Sequence, residues 1–134
     1  MILTDTGPLV AIIDRREADH ARCAALLPSL EAPMVTTWPV FIETMYMLQN
    51  ISWQAQRTLW EYHQRDALIL QDIGKASLDR LQTLMERYRD TPMDLADASL
   101  IVLAEQRNFT RIFTLDSHFH AYRLHGRQRL EIIP

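Results

Sequence analysis

Asp5, Glu43, Asp97 and Asp116 are carboxylates in places where a charge is unwelcome. Asp5 closes the apolar run Met-Ile-Leu-Thr, and Asp116 closes Arg-Ile-Phe-Thr-Leu. Glu43 interrupts Pro-Val-Phe-Ile before Thr-Met-Tyr-Met-Leu, and Asp97 opens Ala-Ser-Leu-Ile-Val-Leu-Ala. Brought together, such groups repel one another unless a divalent cation or shared protons intervene. An all-oxygen donor set points to Mg²⁺ or Mn²⁺. Zinc would call for Cys or His at ligand spacing, whereas Cys23 is the only cysteine and His118-x-His120 lacks a third partner.

Each acid also has a bland reading. Asp5 can cap a helix that begins near Gly7 or Pro8, Asp116 with Ser117 can form a turn, and Asp94 is best read as an N-cap. Glu43 and Asp97 resist this. Glu43 shares a helical face with Val40 and Met47, and no basic residue lies between Met34 and Gln56. Asp97 has no Lys or Arg three or four places on. An ionised carboxylate among apolar neighbours costs several kcal/mol (of order 3–5) unless it is paired or coordinated.

The elements that must position these groups follow from periodicity. Short apolar runs predict strands at 1–4, 34–37, 68–71, 111–115 and 130–133. Segments of helical period fall at about 8–14, 17–29, 39–49, 52–65, 74–89 and 94–107. Strands alternating with helices predict an α/β fold, a three-layer α/β/α sandwich around a mainly parallel, roughly five-stranded sheet. Sites in such sheets form beyond the carboxyl ends of strands, where Asp5 and Asp116 fall. The 134 residues are 48% hydrophobic, contain three glycines and show no linker or repeat, so one domain spanning 1–134 is expected.

Composition narrows the class. No run reaches the roughly 18 apolar residues of a membrane span, the N-terminus does not read as a signal peptide, and one cysteine fits a reducing compartment, the cytoplasm. The net charge of −3 argues against a simple basic nucleic-acid binder. The distribution is uneven: from position 107 onward Arg107, Arg111, Arg123, Arg127 and Arg129 outnumber the acids, with His118, His120 and His125 among them. A basic edge beside an acidic metal site suits a polyanion, and a merely solvated face is the plain alternative. Met45, Tyr46, Met47, Trp53, Trp60 and Tyr62 form core, or else line a groove for a partner helix.

Asp5-Thr6-Gly7, Glu43 in a helix after a strand, Met93-Asp94-Leu-Ala-Asp97-Ala98 opening an apolar helix, and Thr114-Leu115-Asp116 after a strand resemble, in order and spacing, the PIN-domain ribonucleases. Within that family the chain is most similar to the VapC-type toxins of bacterial toxin–antitoxin pairs. The resemblance implies a Mg²⁺- or Mn²⁺-dependent endoribonuclease in which Asp5, Glu43, Asp97 and Asp116 form the acidic site. It makes Asp5 and Asp97 metal ligands, has Asp116 bind directly or through water, and has Glu43 orient or deprotonate the attacking water. Thr6, Asp94, Thr114 and Ser117 would support the site, and Gly7 matches the family's small or hydroxyl residue. An RNA substrate, a cognate antitoxin and a homodimer are further expectations. Two alternatives stay open: a phosphohydrolase with Asp5 as nucleophile, weakened because Gly7 stands where a second Asp would be needed, and a non-catalytic binding module of the same fold.

Overall fold

The computed structural model describes residues 1–134, built from five short strands and six helices. The strands are β1 (Ile2–Thr4), β2 (Met34–Thr36), β3 (Leu68–Leu70), β4 (Arg111–Phe113) and β5 (Glu131–Ile133). They pair in the order β3-β2-β1-β4-β5, and all four pairings are parallel. The sheet is therefore wholly parallel rather than mainly so. A parallel sheet is covered on both faces, which explains why Ile2, Leu3, Val35, Ile112 and Phe113 are all buried whichever way they point.

The helices are α1 (Thr6–Ile13), α2 (His20–Leu26), α3 (Trp38–Gln49), α4 (Trp53–Gln64), α5 (Leu78–Arg87) and α6 (Leu95–Arg107). Local chemistry sets their starts. Pro39 sits in the first turn of α3, where no backbone N–H is needed. Ser52 caps α4 by accepting from the Ala55 N–H at 3.1 Å. Asp94 and Asp97 form a capping box at α6, and Asn108, left-handed at φ 58°, ends it. Two helical expectations shorten: 17–29 becomes α2 and a 3-10 turn over Leu27–Ser29, and 74–89 becomes a 3-10 turn over Lys75–Ser77 followed by α5. The Glu17 carbonyl accepts from the His20 N–H at 3.0 Å in a turn, and Pro28 lacks the N–H that would carry α2 further, so α2 propagates at neither end.

Helix α6 is buried from Ala96 to Ala104 and packs against α3 and α5, while α1 packs against α2 and α3. No helix is long and apolar enough to cross a membrane. Strand order reverses direction about β1: the chain runs outward from β1 to β2 and β3, then returns to place β4 on the other side. The crevice at such a switch point, beyond the carboxyl ends of β1 and β4, is where a parallel sheet leaves room for a site.

Candidate active site

Asp5 follows the last residue of β1 and doubles as the N-cap of α1. Its Oδ1 accepts from the Thr6 N–H at 2.7 Å, and its Oδ2 accepts from the Thr114 hydroxyl at 2.7 Å. The capping reading and the site reading of Asp5 are thus compatible. Thr114, just past β4, in turn accepts from the Asp116 N–H at 3.0 Å. One hydroxyl therefore fixes both the carboxylate after β1 and the backbone that carries the acid after β4.

Asp97 is the third residue of α6 and only 7% exposed. Its Oδ2 accepts from the Asp94 N–H at 3.3 Å, and its own N–H donates to Asp94 Oδ1 at 2.8 Å. The Tyr122 hydroxyl lies 3.3 Å from Asp97 Oδ2 and also donates to the Pro92 carbonyl. Glu43, half-buried on α3, accepts from the Thr6 hydroxyl at 3.3 Å. Asp5, Glu43, Asp94, Asp97 and Asp116, with Thr6, Gly7, Met47 and Leu115, line one cavity of about 300 Å³. Gly7 matters by size: a Cβ there would stand 3.3 Å from Leu115 Cβ, pressing the segment that carries Asp116.

No Arg or Lys pairs with any of these five carboxylates; the one basic contact is His118 Nδ1, 2.8 Å from Asp116 Oδ1. The uncompensated charge shows in the ionisation. Burial pushes Asp5 up to about 6, only partly offset by its hydrogen bonds from Thr114 and Thr6. Burial, with Asp94 and Asp5 nearby, pushes Asp97 up to about 7. Glu43 is raised by the same causes in the same order, burial first and then Asp94 and Asp5. The Tyr122 phenol is also raised, by burial and then by Asp97.

A hard divalent cation fits this donor set: oxygens alone, negative, and short of counter-charge. No three of the side chains close on one point as a finished cage. The open arrangement suits Mg²⁺, which keeps several waters and takes one or two carboxylates. Cys23 is fully buried in α2, outside this cavity, so no thiolate joins the set. A mostly apolar cavity of about 450 Å³ lies at the opposite end of the sheet, beside Ile2, Met34 and Ala67, and shares no residue with the acidic one.

Of the supporting residues, the structure brings Thr6, Asp94 and Thr114 to the acids but leaves Ser117 exposed and outside the cavity. Arg111 is likewise displaced from a phosphate-facing position. It begins β4, at the end of the strand away from the acids, and pairs with Glu31 at 2.7 Å and Glu131 at 3.3 Å. Tyr122 was not foreseeable from spacing, because its neighbours Asp97 and Pro92 are 25 and 30 residues away. Arg89 was also missed. It lines a second bowl of about 400 Å³ together with Asp94, Asp97, Asp116 and His118.

Comparison with known proteins agrees with this architecture. The chain is 29% identical over 135 residues to Ribonuclease VapC26 of Mycobacterium tuberculosis (strain ATCC 25618 / H37Rv), covering 99% of this chain and 100% of that protein. The crystal structure of Mycobacterium tuberculosis VapC20, a Sarcin-Ricin loop cleaving toxin, superposes with a TM-score of 0.83 at 16% identity, covering 90% of this chain and 94% of that one. That likeness speaks for the fold. The model of the PIN domain matches residues 2–124, and the chain belongs to the PIN domain family.

Proposed function

We propose that this chain is a Mg²⁺- or Mn²⁺-dependent endoribonuclease acting as the toxin of a toxin–antitoxin pair in the cytoplasm. The observation that carries the reading is the gathering of five carboxylates from β1, α3, α6 and the β4 loop into one cavity without an Arg or Lys partner. Asp5 and Asp97 would hold the metal, with Asp116 binding it directly or through water. An ion held there would neutralise charge, polarise the scissile phosphate and lower the pKa of water.

The residues then divide the work. Glu43, raised by burial and by its acidic neighbours, accepts a proton from the attacking water. Thr6 keeps Glu43 Oε2 turned toward the cavity. The water oxygen forms a bond to phosphorus, the P–O3′ bond breaks, and the departing O3′ takes up a proton from solvent in the open cavity, leaving a 5′-phosphate and a 3′-hydroxyl. Single-stranded RNA, whose backbone can bend into a cleft, is the substrate of choice. Thr114 and Asp94 hold Asp5 and Asp97 in place.

The partners find separate surfaces. Tyr46 and Trp53 are 68% and 60% exposed, and with Trp38, Ile42, Met47 and Trp60 they leave α3 and α4 with an apolar outer face. Met45 and Tyr62 lie partly buried beneath. This is the face proposed for the antitoxin. A second apolar surface, around Leu78, Met85 and Leu95 on α5 and α6, is available to a second copy of the chain.

The test is cleavage of single-stranded RNA by purified protein. Activity should need Mg²⁺ or Mn²⁺, vanish with EDTA and collapse in Asp5→Asn and Asp97→Asn. Unchanged cleavage in both variants removes the site assignment. Covalent phosphate on Asp5 would favour a phosphohydrolase instead. Growth arrest on expression, relieved by the product of the adjacent gene, checks the toxin role.

A further inference from the structure

Five carboxylates attract cations, yet the substrate proposed above is a polyanion. A metal ion answers for the scissile phosphate alone. The phosphates on either side must cross a surface that Asp94 and Asp116 make negative, so some fixed cation has to meet them. Five of the arginines are held by acids elsewhere. Arg80 is bidentate to Glu105 at 2.9 and 3.0 Å, Arg111 joins Glu31 and Glu131, and Arg16, Arg22 and Arg57 pair with acids on their own segments.

Arg89 is different. It lies in the connection between α5 and α6, is exposed, and forms no ion pair; its one hydrogen bond is from Nη1 to the Glu86 carbonyl at 3.0 Å. The bowl it lines shares Asp94, Asp97 and Asp116 with the acidic cavity, so the two are continuous. His118 lines the same bowl, its Nδ1 taken by Asp116. No other Arg or Lys lines either hollow. Beyond the bowl the cations continue. Arg87 stacks over the Tyr88 ring at 5.7 Å, and the backbone N–H of Arg123 donates to the Tyr88 hydroxyl at 3.0 Å, so Arg87 and Arg123 meet at one aromatic residue, which adjoins Arg89 in sequence.

We infer that the bowl is a subsite for the phosphate adjacent to the scissile one, with Arg89 as the residue that holds it and Arg87 and Arg123 marking where the RNA strand leaves. The inference rests on the ribonuclease reading. Arg89 touches the substrate away from the reacting atoms, so it contributes to binding and register, not to the bond-breaking step. With Nη1 on the Glu86 carbonyl, the Nε and Nη2 donors of its guanidinium remain to meet the two oxygens of a phosphodiester.

Fluorescence anisotropy of a labelled single-stranded RNA, titrated at several salt concentrations, tests this. Binding is measured in the inert Asp5→Asn background, so the result does not depend on cleavage. Adding Arg89→Ala should weaken binding about tenfold and flatten the slope of log K against log salt by about 0.7, the value for one phosphate on a single strand. Arg89→Lys should keep the slope and recover part of the affinity, since the charge stays while the fork is lost. Arg111→Gln removes the same charge at the far end of the sheet and should leave the slope alone. An Arg89→Ala slope equal to that of the parent overturns the inference, and so does an equal loss in Arg111→Gln, which would reduce the effect to net charge. Failure of the ribonuclease reading itself shows elsewhere, as absence of cleavage by the unmodified protein with Mg²⁺.

Discussion

Asp97→Asn should make the metal-free protein more stable while destroying its response to metal. The reasoning starts from ionisation. Asp97 is raised from its usual 3.8 to about 7 in the folded chain, and 1.36 kcal/mol per unit makes this about 4 kcal/mol of penalty on the ionised form. The cavity opens to solvent and the acids share the effect, so on the order of 2 kcal/mol is the figure to expect. The sign follows from proton binding. Between the unfolded value near 3.8 and the folded value near 7 the native state holds a proton that the unfolded chain has lost, so stability falls as pH rises through that window and levels off above it. Asp5, raised to about 6, adds to the same fall over the lower part of the window. An Asn at 97 has nothing to ionise, and its amide oxygen can still accept from the Asp94 N–H and the Tyr122 hydroxyl. Thermal unfolding in EDTA at pH 8 should therefore show Asp97→Asn melting roughly 6–10 °C above the parent, with the difference shrinking as pH falls to 4 and vanishing below the unfolded value of 3.8, where Asp97 is protonated in both states. Mg²⁺ should then reverse the order. At 100 times the dissociation constant it stabilises the parent by about 2.7 kcal/mol and leaves the variant largely unmoved. A variant that is less stable than the parent at pH 8 in EDTA, or whose gain is the same at pH 4 and pH 8, refutes the claim that uncompensated charge dominates the cavity.

Thr114→Val keeps the shape and removes two hydrogen bonds, to Asp5 and from the Asp116 N–H; about 1–3 kcal/mol of stability should go, read by denaturant unfolding. Because the Thr114 bond is what holds the Asp5 carboxyl down against burial, Mn²⁺ titrations of the same variant should also show a steeper loss of affinity below pH 7. Tyr122→Phe retains the edge-on ring contacts with Tyr88 and Phe119 but loses the hydroxyl that reaches Pro92 and Asp97. We expect a cost of about 1–2 kcal/mol together with weaker Mn²⁺ binding by calorimetry; intact metal affinity would mean the phenol serves only the loop. Trp53→Glu on the outer face of α4 should leave the melting temperature within about 0.5 kcal/mol equivalents yet abolish association with the partner protein in size-exclusion chromatography.

The frame was legible because it rests on local rules. Each of the five strands was expected within a residue or two of its place, since a parallel sheet writes itself as short, uninterrupted apolar runs such as Ile2–Thr4 and Arg111–Phe113. Helix ends were less legible wherever the signal was a single turn, as at His20 and Leu78, where a 3-10 turn or an irregular loop competes with the helix. The gathering of Asp5, Glu43, Asp97 and Asp116 could be argued from awkward charges at element boundaries. The identity of their supports could not. Ser117 sits next to Asp116 in sequence yet is exposed and lines neither hollow, whereas Tyr122 reaches Asp97 across 25 positions. Proximity in sequence is a poor guide to hydrogen-bond partners once the chain has turned.

Arg89 and Arg111 carry the same lesson into electrostatics. Counting arginines toward the C-terminus placed Arg111 on the substrate side, but its position at the start of β4 sends it to the opposite end of the sheet, where Glu31 and Glu131 neutralise it. Arg89 attracts no notice in a count, following Arg87 in a stretch that reads as the solvated end of an amphipathic helix. What singles it out is the combination of no acidic partner and a wall shared with Asp94, Asp97 and Asp116. A paired arginine spends its field on its partner, while a free one beside a metal-seeking cavity acts on whatever polyanion approaches. For a protein of net charge −3, the placement of the one Arg that lines the acidic hollows bears on how a polyanion is laid into the site more than the total of 14 basic residues does.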